Sequence, residues 1–326
     1  MENVLSLALN NLLSPIILSF ALGLFAALAR SELTIPEAVA KGLSIYLLFA
    51  IGFKGGVAVT KNGLDATLIM TLIAGLVLSA LLPLLAFVLL RTLTKLDTVN
   101  AAAVAGHYGS ISIVTFVAGT SVLESSGITS EGYMVAVAAV MEAPAILSAL
   151  WLISRGSGGA RMDAGLWREI LLNGSIVLLV GSFFIGMATG QKGLDEIGPF
   201  IVAPFKGVLC LFLLDMGLVA GRGLRQAKGT ITFGLLAFGI VMPLASSVIG
   251  LAMGAAIGLS LGGIVLLMVL CASASYIAVP AAMRVAVPEA DPAIYLTLSL
   301  GVTFPFNLTV GIPLYLALAT MFSGAA

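Results

Sequence analysis

Three titratable side chains, His107, Glu142 and Asp215, stand deep inside apolar sequence. Placing a charge at a bilayer centre costs ~2.5–3.5 kcal/mol on insertion scales, so such residues point to function by default. Glu142 lies in Met141-Glu-Ala-Pro144, and a matching stretch reads Val302-Thr-Phe-Pro305 with Asn307 just beyond. Each proline leaves a helix carbonyl without its intrahelical partner. Glu142, Thr303 and Asn307 thus offer hard oxygen ligands for a small cation such as sodium. Two serine clusters lie nearby in the pattern: Gly106-His-Tyr-Gly-Ser-Ile-Ser112 and Ala272-Ser-Ala-Ser-Tyr276. Hydroxyls donate to an anion and accept from a donor or bind a cation through their lone pairs. The expected substrate contacts are Gly109, Ser110, Ile111, Ser112, Ser273, Ala274 and Ser275, the glycine, isoleucine and alanine through their backbone. Ser110 and Ser275 are also expected to touch the cation. His107 titrates near neutral pH if accessible, and with Tyr276 and Asp215 it completes the candidate set. One histidine and two separated cysteines, Cys210 and Cys271, do not make a zinc or haem site. Sodium as a coupling ion is the only cofactor expected.

The elements that hold these residues follow from composition. Of 326 residues, 60% are hydrophobic and only 9% are charged, against about 25% charged in a soluble domain. A spanning helix needs about 20 mostly apolar residues, and about ten such stretches occur. They cover approximately 10–29, 36–57, 65–90, 97–120, 131–153, 168–189, 197–220, 229–257, 261–285 and 291–320. The runs are continuously apolar, unlike the alternating strands of a membrane barrel. The expected fold is therefore an all-α membrane protein of ten transmembrane helices. Zero net charge implies no nucleic-acid partner. The N-terminus has no basic residue before its first apolar run, so that run is expected to be retained as a helix.

Basic residues set orientation. With the N-terminus outside, the inner loops carry Arg30, Arg91, Lys95, Arg155, Arg161, Arg168, Arg222, Arg225, Lys228 and Arg284, and the outer loops carry Lys54, Lys61 and Lys192. Both termini are expected outside a bacterial inner membrane, with the Gly- and Ser-rich linker at 154–167 in the cytoplasm.

The two halves repeat. Lys41-Gly-Leu-Ser-Ile-Tyr-Leu-Leu-Phe-Ala-Ile-Gly-Phe-Lys-Gly-Gly56 aligns with Lys206-Gly-Val-Leu-Cys-Leu-Phe-Leu-Leu-Asp-Met-Gly-Leu-Val-Ala-Gly221. Gly109–Ser112 aligns with Ala272–Ser275, and Met141–Pro144 with Val302–Pro305, in the same order at offsets of 161 to 165. Five spans per half, at 1–153 and 168–326, insert with opposite orientation, the plan of many secondary transporters. The glycines and serines of spans four and nine, with Pro280, weaken both helices at corresponding positions. These two broken helices are expected to cross at the midplane. A broken helix presents N–H groups that suit an anion and carbonyls that suit a cation.

Leu48-Phe-Ala-Ile-Gly-Phe-Lys-Gly-Gly56, the break at Gly106–Thr115, Met141-Glu-Ala-Pro144, Cys271-Ala-Ser-Ala-Ser275 and Gly311-Ile-Pro-Leu-Tyr315 together resemble the cyanobacterial sodium-dependent bicarbonate transporter family. The resemblance runs through nearly the whole chain. It implies sodium-driven bicarbonate uptake by an elevator-like motion. Spans 1, 2, 6 and 7 would form a gate or scaffold, and spans 3–5 and 8–10 a moving core. It also implies a homotrimer and a PII-like regulator at the cytoplasmic face. Gly109, Ser110, Ser273 and Ser275 match the family's two breaks, and Glu142 its acidic position before a proline. The chain departs from the family pattern at Tyr276, where an acidic residue is usual, and at His107 and Tyr108.

Two other functions fit parts of the pattern. A cation/proton antiporter would use Glu142 and Asp215 as proton carriers. An intramembrane enzyme would pair His107 with a serine, but no orienting acid lies near His107 in the chain. The chain is expected not to be an enzyme.

Overall fold

The computed structural model describes residues 13–62, 66–157, 172, 174–226 and 232–323. These residues form helices and no strands. The helices are α1 (Pro15–Leu28), α2 (Glu37–Asn62), α3 (Ala66–Leu93), α4 (Thr98–Gly109), α5 (Ile113–Ser125), α6 (Met134–Val140) and α7 (Glu142–Ser157). The second half continues with α8 (Gly174–Ile201), α9 (Phe205–Gln226), α10 (Phe233–Ile257), α11 (Leu261–Ala272) and α12 (Ala278–Ala286). A last helical rod, α13, runs Pro292–Ser323. It is locally widened to π-helix over Thr297–Thr303 and Asn307–Gly311. Among the described residues, 8 candidate spans are long and apolar enough to cross a membrane, and α1 and α11 are shorter apolar helices. The chain is thus a multi-pass membrane protein.

Local chemistry explains where the helices start and stop. Asp97 accepts from the Asn100 N–H at 2.8 Å and caps α4, while Ser260 accepts from the Gly263 N–H at 3.1 Å and caps α11. Both supply an acceptor for an N–H that has no intrahelical partner. Gly258, in the left-handed region at φ 83°, ends α10. The sixth span runs further than its apolar run suggests. It reaches Ile201 through Gly190, whose φ of 58° and ψ of −148° interrupt the helix there. Only glycine takes that geometry without steric cost. Lys192, expected in an outer loop, therefore lies in the helical segment after this kink. Lys54, also expected in a loop, lies within α2. The linker expected from residue 154 begins later, because α7 continues to Ser157. The rest of that linker, Arg161 included, lies outside the described residues, as do Arg168 and Lys228.

The helices pack as two groups. In one, α2 pairs with α8 and α1 with α9. In the other, α3, α4 and α7 pack together, α10, α11 and α13 pack together, and α3 meets α10. Lipid gives helices no hydrophobic reason to associate, so close backbone approach must supply the contact. At Gly52 and Gly56 an added Cβ would run into the Leu179 and Phe183 carbonyls of α8, and at Gly217 into the Phe20 carbonyl of α1. At Gly221 it would press on Ala27 and Leu24 of α1. Those four glycines make two of the three glycine pairs that coincide when the two halves are aligned; the third pair, Gly42 and Gly207, has open space around it.

Candidate functional site

The site is built where four helix ends meet. Helix α4 stops at Gly109, Ser110 is extended (φ −85°, ψ 164°), and Ser112 caps α5. The Ser112 hydroxyl oxygen accepts from the Thr115 N–H at 3.2 Å and from the Thr115 hydroxyl at 2.9 Å. Helix α11 stops at Ala272, Ser273 is extended (φ −82°, ψ 161°), and α12 begins at Ala278. Here the Ser275 hydroxyl oxygen accepts from the Val279 N–H at 3.4 Å.

The two interruptions are joined by hydrogen bonds. The Ser112 N–H donates to the Ser273 hydroxyl at 2.9 Å, and Ser273 donates in turn to the Leu270 carbonyl at 2.9 Å. The Ser275 N–H donates to the His107 carbonyl at 2.7 Å. The junction is closed off from solvent: Ser110, Ser112, Ser273, Ala274 and Ser275 are no more than 3% exposed, and Ile111 is 2% exposed. The N-termini of α5 and α12 bring partial positive charge, and the C-termini of α4 and α11 bring partial negative charge. Capping leaves the Ile113 and Val114 N–H groups without intrahelical acceptors. This arrangement can hold an anion beside a cation.

Ser110 is the exception among the serines. It aligns with Ser273, yet its hydroxyl is buried without a hydrogen-bond partner. It faces the Glu142 carboxyl at the start of α7, whose Oε2 is also buried and unbonded. The Tyr276 hydroxyl is in the same condition beside Ser112. Unpaired buried polar atoms are costly, and here Ser110 faces Glu142 and Tyr276 faces Ser112 at the two breaks without closing to ordinary hydrogen-bond geometry.

Other candidates have different surroundings. The Asn307 side-chain amide donates to the Ala272 carbonyl at 2.8 Å, and its oxygen accepts from the Tyr315 hydroxyl at 2.7 Å. Thr303 donates to the Gly239 carbonyl at 2.7 Å, so Tyr108, 2.6 Å away, must donate to Thr303. Neither residue makes a described contact with Glu142. His107 turns its ring back along α4, where Nδ1 donates to the Ala103 carbonyl at 2.7 Å and the ring stacks on Tyr295 at 4.4 Å. It meets the junction through its backbone carbonyl. Asp215, 6% exposed on α9, makes no hydrogen bond to the junction among the described residues; the charge that acts on it is that of Arg222. The described residues hold no group of three His, Cys, Asp or Glu side chains. A cation here would be held by one carboxylate with hydroxyls and carbonyls.

Sequence patterns missed the wall behind the first break. Gly109 packs so close to α3 that a Cβ would strike the Pro83 ring and the Ser79 carbonyl. Ser79 also donates to the Met141 carbonyl at 2.5 Å, tying α3 to the residue before Glu142. A signal existed: Pro83 inside α3 has a counterpart, Pro243, inside α10. Tyr315 closes the Gly311–Tyr315 motif, but nothing in that motif pointed to its hydrogen bond with Asn307.

A comparison with curated proteins gives no match. The sequence profile of the Na+-dependent bicarbonate transporter superfamily matches residues 15–320. That match spans the junction and nearly every helix around it, and the chain belongs to the Na+-dependent bicarbonate transporter superfamily.

Proposed function

We propose that this protein is a sodium-coupled symporter of bicarbonate or a similar small anion. The observation that carries this reading is the junction itself: two helix N-termini and two helix C-termini meet through the Ser112–Ser273 and Ser275–His107 hydrogen bonds. The anion would lie against the free N–H groups of α5 and α12, with Ser112 and Ser275 beside it. Sodium would lie between Ser110 and Glu142, completed by carbonyls at the end of α4. The cation neutralises the carboxylate that would otherwise repel the anion. Each ion therefore raises the affinity for the other by the same factor.

The packing supports an inverted repeat. Exchanging the halves turns the α1–α9 pair into the α8–α2 pair, and the α3–α4–α7 group into the α10–α11–α13 group. The matched pairs Gly52/Gly217 and Gly56/Gly221 fall on equivalent contacts, α2 against α8 and α9 against α1. In this reading α1, α2, α8 and α9 form a gate, and the remaining helices form the core that carries the site past it. Both termini then lie outside. The antiporter alternative needs Glu142 and Asp215 to share a site, and no described contact joins them.

The test is uptake of labelled bicarbonate by proteoliposomes with and without an inward sodium gradient. Uptake should rise steeply with external sodium. Sodium-independent flux, or proton exchange alone, would overturn the proposal.

A further inference from the structure

A crevice of ≈ 340 Å³ opens between the two helix groups at the end where α1 begins. Lys206 and Cys210 of α9 line it from one side, and Ser121 and Ser125 of α5 line it from the other. Leu308 of α13 also lines it, and Leu308 follows Asn307, the residue that holds the Ala272 carbonyl of the second break. The crevice therefore reaches within one residue of a group that supports the junction.

Among the described residues, Lys206 is the one charged side chain that lines it. Helices α1 and α9, of 14 and 22 residues, both begin there and direct their positive ends toward it. Lys206 has no ion pair or hydrogen bond among the described residues. The contrast with Lys54 is instructive. Lys54 lines the neighbouring crevice but is paired with Glu124 at 3.4 Å. Ser121 is only 4% exposed and its hydroxyl has no partner among the described residues. An ammonium without an ion pair and a hydroxyl without a protein partner thus border a space larger than a small oxyanion and offer it a charge and a donor.

We infer that this crevice captures a small dissolved oxyanion, held by the Lys206 ammonium and the Ser121 hydroxyl, ahead of its transfer to the helix junction. The inference rests on the anion-transport reading above and assigns that anion a separate first binding site. The site concentrates the anion beside the gate–core boundary, because a positive charge in a cleft raises the local concentration of a counter-ion.

Cys210 provides the measurement. It is one helical turn from Lys206 on the same face, and it is partly accessible while Cys271 is buried. In lipid-free detergent micelles, Cys210 is labelled with an anionic (sulfonatoethyl) or a cationic (trimethylammonium-ethyl) methanethiosulfonate, and the modified peptide is identified by mass. Lys206→Gln should lower the anionic-to-cationic rate ratio about tenfold, the effect in water of one charge at about 6 Å acting on both reagents. Lys206→Arg should keep the ratio. Bicarbonate should slow the anionic reagent in the wild type but not in Lys206→Gln, and gluconate at equal ionic strength should not. An unchanged ratio in Lys206→Gln, or no protection by bicarbonate, overturns the site. Protection seen only after phosphatidylglycerol is added would assign the crevice to a lipid headgroup and overturn it equally. If ratio and protection hold while proteoliposomes show no anion uptake, the capture site stands and the transport reading falls.

Discussion

Ser110→Ala and Ser273→Ala should fail in opposite ways, although the two serines align in sequence. The Ser273 hydroxyl accepts from the Ser112 N–H and donates to the Leu270 carbonyl, each at 2.9 Å, with the residue 0% exposed. Truncating it strands the Ser112 N–H out of reach of water, while the Leu270 carbonyl keeps the Ser273 N–H at 3.4 Å. Leaving one such group unpaired costs about 1–3 kcal/mol, while interhelical hydrogen bonds in membranes average about 0.6 kcal/mol. Ser273→Ala is therefore expected to destabilise the ligand-free protein by about 1–3 kcal/mol. The Ser110 hydroxyl faces the Glu142 carboxyl but makes no hydrogen bond of ordinary geometry, so Ser110→Ala should change that stability by less than Ser273→Ala does, by about 0.5 kcal/mol. Its effect should appear on ligand binding. A hydrogen bond to a charged group contributes about 1.5–3 kcal/mol, so affinity should fall about 10- to 100-fold. The assay is thermal unfolding of detergent-solubilised protein, followed by isothermal titration with bicarbonate in sodium and in a sodium-free buffer. If Ser110→Ala lowers the melting temperature as much as Ser273→Ala and leaves both affinities unchanged, Ser110 is a packing residue and the proposed cation site is wrong.

Three further outcomes are expected. Asn307→Leu removes the donor to the Ala272 carbonyl and the acceptor for the Tyr315 hydroxyl. Thermal unfolding should show a loss of about 2–4 kcal/mol, and no loss would place those hydrogen bonds elsewhere. Gly186→Leu would drive a side chain into the Phe53 backbone of α2, whereas Gly42 has open space around it. Size-exclusion chromatography should show the first variant misassembled and Gly42→Ala monodisperse, the latter more stable by about 0.5–1 kcal/mol; equal behaviour would refute the close α2–α8 contact. Asp97, just outside the span that starts at Thr98, has its carboxyl held below the ordinary carboxylate range, chiefly by the hydrogen bond from the Asn100 N–H. A depressed folded-state value stabilises above the unfolded value and fades as pH falls through the folded one. Asp97→Ala should thus melt lower than wild type at pH 7, with the gap closing as the pH is lowered through that range; a constant gap would mean that the cap does not depend on charge.

Much of the architecture was legible because lipid restricts what a chain can do. Long apolar runs with few charges admit only helices, so membrane class and most spans followed from composition. Alignment pairs Gly52 with Gly217 and Gly56 with Gly221, which sit at close backbone contacts, but it pairs Gly42 with Gly207 as well, and only the structure shows open space around those two. The two serine clusters were visible because paired interruptions in otherwise apolar helices have few explanations. What alignment could not supply was the difference between the matched serines. Ser273 and Ser110 occupy equivalent sequence positions, but only Ser273 meets a backbone N–H from the other break, while Ser110 is turned toward Glu142. Nor could it show that Thr303 and Asn307 are already engaged by Tyr108, Gly239, Ala272 and Tyr315. Gly190 reads in sequence as one more glycine, and only its backbone geometry reveals a kink that carries the helix on to Ile201. Residue type and spacing determined which groups were available in the membrane. Partner choice depends on side-chain direction and on contacts between residues more than a hundred positions apart, and only the tertiary structure decided which of those groups were left free to bind.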